Sequence, residues 1–334
     1  MFDKDMLKSI LAAYGPSGRE QTVSDVIRSY VEPFADEVYN DTLGNLIAVK
    51  KGASGKKVML SAHMDQIGLI VVDIDEKGFL RVSNVGGVNP VVSLAREVQF
   101  ENGTHGVTYF ETEKHGAKDA TMPELFVDIG ATTREEAEAK VQIGDVAVYV
   151  TNFVEMGSRV SSGALDDRIA CAAVVEAFRT MQNVHDVYAV FTVQEEVGLR
   201  GAGAAAYAIE PDLNISLDVT GTGDTPKCGR MSVKLGAGAT VKVMDSSVIV
   251  PPVVRAFLVE AADEKNIRWQ PEVLRAGGTD TGAVQRTRGG ILSGCISIPT
   301  RYIHSPVETA DMGDYEAAVQ LVCAAVAKQE LPHR

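Results

Sequence analysis

Val187-Tyr188-Ala189-Val190-Phe191-Thr192-Val193 runs without a charge into Gln194-Glu195-Glu196. A β-branched and aromatic run that is apolar on both faces reads as a strand buried inside a sheet, and the paired carboxylates stand where that strand ends. Working outward, the pattern is helical over 168–182 and 250–265 and extended over 213–219 and 290–298. Long helices alternating with buried strands predict an α/β fold: a mixed central sheet flanked by helices.

Toward the N-terminus, helices are expected over 5–13 and 20–32, on either side of Gly15-Pro16-Ser17-Gly18. Strands follow over 45–50 and 57–62, separated by the turn signal Gly52-Ala53-Ser54-Gly55. From Leu69 to Ser162 the texture changes to short alternating strands with hairpin signals at Asp75-Glu76-Lys77-Gly78 and Asn102-Gly103, and one helical pattern over 133–140. The expected organisation is a larger domain made of 1–68 and 163–334, with a small β-rich domain of 69–162 inserted in it.

Of the 334 residues, 45% are hydrophobic and 23% charged, the balance of a globular chain. A net charge of −13 repels a phosphate backbone, so nucleic acid is not an expected partner. The N-terminal stretch mixes acidic residues into its apolar ones and no later run is long enough to span a bilayer, so the expected place is the cytoplasm, without membrane attachment. Cys171, Cys228, Cys295 and Cys323 are too scattered for a zinc-knuckle spacing and are read as reduced thiols.

In open α/β sheets, functional side chains gather beyond the carboxyl ends of the strands. Here those positions carry His63-Met64-Asp65, Glu195-Glu196, Asp218 and His304, while Asp166-Asp167 stand where the longest helix begins. Each has an ordinary explanation by itself: a core histidine, a solvated acidic pair, a helix cap. The remaining histidines, His105, His115, His185 and His333, are left with that explanation. Two imidazoles and several carboxylates facing one crevice are another matter, because unpaired like charges there are costly and divalent cations resolve the conflict. Nitrogen and oxygen ligands without cysteine suit zinc, cobalt or manganese.

Ala62-His63-Met64-Asp65, Leu165-Asp166-Asp167-Arg168, Gln194-Glu195-Glu196-Val197-Gly198-Leu199-Arg200-Gly201-Ala202, Leu217-Asp218-Val219 and Ile303-His304-Ser305-Pro306 together resemble the prokaryotic glutamyl-aminopeptidase family. That family includes the tetrahedral (TET) aminopeptidases and members once named endoglucanases. The segments 125–131 and Gly277-Gly278-Thr279-Asp280 extend the resemblance over nearly the whole chain. It implies a zinc-exopeptidase-like catalytic domain that removes the N-terminal residue from short peptides with two divalent metal ions per subunit, zinc or cobalt first and manganese also. Carried onto this sequence, His63 and Asp218 hold one metal, Glu196 and His304 the other, and Asp166 bridges them. Glu195 is then the general base, Asp65 orients His63, and the Asp166–Asp167 peptide is cis.

The resemblance further implies that the insert is a dimerisation domain and that the protein is a homo-oligomer built from dimers, up to a tetrahedral dodecamer. The implied first-residue preference is acidic or neutral aliphatic. Arg268, Arg275, Arg286 and Arg288, around the Gly-Gly-Thr-Asp segment, are candidates for receiving an acidic side chain. Two other classes are alternatives: a related two-metal deacylase or carboxypeptidase, which would use the same centre, and a non-enzymatic assembly protein, which predicts loss of a ligand or base, whereas every expected position is filled here.

Overall fold

A computed structural model describes residues 3–111 and 116–333. The chain opens with α1 (Lys4–Ala12), α2 (Gln21–Val31), β1 (Glu37–Asn40), β2 (Leu46–Lys50) and β3 (Lys57–His63). Next come β4 (Gly68–Ile74), β5 (Leu80–Val85), α3 (Pro90–Ser93), β6 (Glu97–Phe100), β7 (His105–Phe110), β8 (Leu125–Asp128), α4 (Arg134–Glu138) and β9 (Val146–Tyr149). After β10 (Val154–Met156) and β11 (Arg159–Ser162) the chain alternates: α5 (Leu165–Thr180), β12 (Asp186–Thr192), α6 (Arg200–Ile209), β13 (Leu213–Thr220), β14 (Ala239–Met244) and α7 (Pro252–Glu264). It ends with β15 (Trp269–Val273), α8 (Asp280–Gln285), β16 (Ser293–Arg301), β17 (Glu308–Asp311) and α9 (Met312–Val326).

Among the described residues, one 11-stranded sheet runs in the order β1-β2-β12-β3-β13-β16-β17-β11-β10, with β14 branching from β16 and carrying β15. The neighbours β12, β3, β13 and β16 are parallel, so their carboxyl ends share one edge of the sheet. Register fixes the level: Thr192 stands opposite His63, and Asp218 opposite Ser297. Successive side chains alternate between faces, as a pleated strand requires. Leu46, Ala48, Val58 and Leu60 pack against α1, α2 and α5, whereas Ile47, Val49, Met59 and Val190 face α6 and α8. The fold is the expected α/β architecture with helices on both faces.

The strands β4-β5-β8-β7-β6-β9 close into a barrel with a core of its own, containing Leu69, Leu80, Phe100, Leu125 and Val127. Residues 150–162, grouped with the insert on their short-strand texture, supply β10 and β11, which continue the large sheet beyond β17.

The boundaries shift for local reasons. The helix expected over 168–182 is α5, whose first turn takes in Asp166 and Asp167 although both have non-helical dihedrals. The strand expected over 290–298 starts at Ser293, because Gly290 (φ +98°) closes the turn after α8. α6 carries Gly201 and Gly203, which depress helix propensity and mask its pattern. No helix among the described residues is long and apolar enough to cross a membrane.

Candidate metal centre

β3, β12 and β13 end side by side and deliver His63, the Glu195-Glu196 turn and Asp218 to one cavity of about 630 Å³, which Asp166 and His304 also line. Gln194, in the turn after β12, has a φ of +57°. Asp65 gathers that turn: its Oδ1 accepts from the Glu195 N–H at 3.0 Å and its Oδ2 from the Glu196 N–H at 3.2 Å. Ser17 Oγ, in the break between α1 and α2, also donates to Oδ2, at 2.6 Å. Glu20 reaches the same place, accepting the Gln194 N–H at 3.0 Å.

Both histidines are held in the tautomer a metal needs. His63 Nδ1 lies 3.0 Å from the backbone carbonyl of Asp65, and His304 Nδ1 lies 3.0 Å from that of Gly87. A carbonyl oxygen only accepts, so Nδ1 carries a proton and Nε2 is the nitrogen turned to the cavity, where a bound cation would take the place of its proton. The Asp65 carboxylate stands farther from His63 Nδ1, at 3.4 Å. Asp166 Oδ1 is 3.1 Å from His63 Nε2, and its Oδ2 is 3.3 Å from His304 Nε2, which also meets Glu196 Oε2 at 3.2 Å. Glu195 Oε2 lies 3.9 Å from His63 Nε2.

Three groupings place potential ligand atoms within 4.8 Å of one another: His63–Glu195–Asp218, Asp166–Glu196–His304 and Asp166–Asp167–Asp218. All six residues the sequence singled out as ligands or base therefore meet in one place, and Asp65 lies directly behind them. The peptide bond between Asp166 and Asp167 is cis.

Burial and crowding shift the ionisation of this cluster. Burial, helped by Asp218, Asp280 and Glu196 and opposed by His63, raises the Glu195 carboxyl well above the usual range. Burial raises Asp218 well above it too, and Glu196 to a lesser degree. Burial would lower both imidazoles, but Glu195, Asp166 and Asp65 hold His63 well above its ordinary value, and Asp166 with Glu196 push His304 up to about 11. Asp167 Oδ1 is buried without a hydrogen-bond partner. Two imidazole Nε2 atoms converging with carboxylates, and an orphaned carboxylate oxygen beside them, fit divalent cations well, which would displace the Nε2 protons.

Sequence reasoning missed two supports. Glu308, on β17, accepts the N–H of Asp166 at 2.9 Å and of His304 at 2.8 Å, tying together the two segments that carry those residues. Gly87, in the loop after β5, supplies the carbonyl behind His304, and a Cβ there would stand 2.5 Å from His304 Nδ1. Only the four-residue spacing of Glu308 from His304 hinted at the first; nothing in the sequence marked the second. Asp280 accepts from Thr192 Oγ1 at 2.7 Å, and burial raises its pKa to about 6.

The arginines around Gly277-Gly278 do not converge on the cavity. Arg268 donates to Gly236 O, Arg286 to Gly282 O, and Arg288 pairs with Glu210, while Arg275 is exposed. His105 pairs with Glu97 on the barrel and His185 with Ser54 and the Lys328 carbonyl, and neither lines the cavity. His115 lies outside the described residues.

The profile of the family described as M42 glutamyl aminopeptidase matches residues 44–321. A putative aminopeptidase of Acetivibrio thermocellus is 50% identical, over 96% of this chain and 98% of its own. A lysyl aminopeptidase of Pyrococcus furiosus is 39% identical, over 97% and 96%. Among solved structures, an aminopeptidase of the archaeon Desulfurococcus kamchatkensis superposes with a TM-score of 0.93 at 36% identity, covering 97% of this chain and 94% of that one. A TET peptidase of Pyrococcus horikoshii that can assemble into a tetrahedron or a large octahedral shell does so with a TM-score of 0.87 at 32% identity, covering 96% and 98%.

Proposed function

Because this chain belongs to the M42 glutamyl aminopeptidase family and is a metal-dependent aminopeptidase, we propose that it releases the N-terminal residue of short peptides through a dinuclear divalent-metal centre with Glu195 as general base. The observation that carries this reading is Asp166, which turns one carboxylate oxygen to each histidine. A carboxylate so disposed could serve two ions, of which His63 and Asp218 would hold one, and Glu196 and His304 the other. The nitrogen and oxygen donor set suits zinc or cobalt, and manganese after them.

Two such ions supply Lewis acidity toward water and the peptide carbonyl, and an anchor for a free α-amine. Glu195 takes the proton of the attacking water and returns it to the leaving amine; a carboxyl whose pKa burial raises is suited to both halves of that transfer. Asp65 is a positioning residue, since it fixes the backbone of Glu195 and Glu196. The barrel of β4 to β9, which exposes Val72, Val107 and Tyr109, serves as a dimerisation domain, and a dodecamer built from such dimers is the assembly we assign to the chain, in the cytoplasm.

The test is hydrolysis of paired free and N-acetylated peptides by protein stripped of metal and reloaded with zinc, cobalt or manganese. Metal-dependent cleavage of the free peptides alone supports the reading; cleavage of only the acetylated ones moves the protein to the deacylases. Glu195→Gln should keep two ions per chain and lose about 10²- to 10⁴-fold in kcat. An unchanged rate removes Glu195 from its role.

A further inference from the structure

The cavity that contains the histidine–carboxylate cluster has a second set of walls, and they are apolar. Leu199, Val219, Leu274, Ala276 and Ile303 line it together with the Gly277-Gly278 backbone. Leu199 Cδ1 lies 3.6 Å from where a Cβ on Gly278 would stand, and Leu274 Cδ2 lies 3.5 Å from the same point on Gly277. The two leucines thus flank one glycine floor, which leaves open the space that side chains there would fill.

Of the three described hydroxyl residues around the cavity, Ser246 and Ser247 have their Oγ engaged, and Thr220 Oγ1 is buried without a hydrogen-bond partner. Ser246 Oγ donates to the Gly277 carbonyl, and Ser247 Oγ donates to Asp245 Oδ1 at 2.7 Å. Among the described residues, no lysine or arginine lines the cavity, and its only carboxylates are Asp166, Glu195, Glu196 and Asp218 of the cluster itself. With the cluster's carboxylates engaged by the ions proposed above, a charged side chain entering this recess would lose hydration without gaining a counter-ion, whereas an aliphatic one gains contacts and sheds water.

We propose that this recess receives the side chain of the substrate's first residue, that it selects neutral apolar side chains of the leucine and methionine class, and that it discriminates against acidic and basic ones alike. The assignment rests on the aminopeptidase reading above and narrows the acidic-or-aliphatic preference that the resemblance implied. Leu199, Leu274 and Ala276 are the specificity-determining residues.

Two measurements on the full-length, metal-loaded protein test it: kcat/KM for leucyl, glutamyl and lysyl p-nitroanilides, and calorimetric titration with the hydroxamates of the same three amino acids. Leucine should lead both others by at least about tenfold in each measurement. Turnover with glutamyl or lysyl in the lead overturns the recess assignment and leaves the aminopeptidase reading standing. Preferential binding of leucine hydroxamate without turnover of any anilide does the reverse. Equal binding of all three hydroxamates overturns the assignment outright. Ala276→Arg, on the exposed rim, should raise the glutamyl-to-leucyl ratio of kcat/KM by about tenfold, since it supplies the missing cation. Leu274→Arg should move the ratio in the same direction, and a ratio unmoved by both variants counts against the assignment.

Discussion

Asp166 and His304 meet through supports that a reader of the sequence has no means of pairing. His63, Glu195, Glu196 and Asp218 were legible because each closes a buried strand, and parallel neighbours must end at one edge. Glu308 was not, because its position depends on β16 and β17 folding back on each other. Gly87 was not, because it comes from the barrel. Removing the ligand itself has a simple consequence: His304→Ala should drop the bound metal from two ions per chain toward one, measured by elemental analysis after dialysis, and retention of both contradicts the ligand set. Gly87→Ala should do much the same with every ligand intact, because a Cβ only 2.5 Å from His304 Nδ1 forces the ring to move. Unaltered stoichiometry in that variant would mean that the loop yields instead.

Elements are joined here by buried polar side chains more than their patterns suggest. Arg168, fully buried on α5, donates to the carbonyls of Ile10, Leu11, Ala13 and Gly15 where α1 ends, and to Met64 where β3 ends. It satisfies orphan carbonyls of a helix terminus from another element. Arg168→Leu should therefore cost at least about 3 kcal/mol in denaturant unfolding, because several buried acceptors lose their donor together. β14 and β15 escaped the sequence reading for a related reason. Lys242 and Glu272, charges that normally mark a solvated face, sit on these strands fully buried and paired with each other. A second pair gives a pH dependence. The hydrogen bonds of Arg301 to both carboxylate oxygens of Asp224 lower its pKa to about 2. The folded-state pKa lies below the unfolded value of about 3.9, so the stabilisation is full above that pH and fades as pH falls through 2. Wild type should exceed Asp224→Asn in stability at pH 7, with the gap closing toward pH 2; a gap independent of pH would contradict this.

At the scale of the molecule, the large sheet and the barrel have separate cores, and the outer face of the barrel exposes Val72, Val107 and Tyr109. Light scattering should give the mass of a dodecamer, and Tyr109→Glu should reduce it by placing a charge in an apolar contact. A mass that variant leaves unchanged would send the dimer contact elsewhere. Residues that build the catalytic edge come from both sides of the insertion, which the sequence made visible as a change of texture. The traffic in the other direction, from the Gly86-Gly87 loop back to Glu196 and His304, lies in the packing alone. That loop sets the grain at which such proteins can be recombined. A chimera that exchanges the whole barrel between relatives imports a foreign backrest for its own histidine, whereas a crossover that leaves 86–87 with the host transplants the barrel's outer surface and keeps the chemistry native.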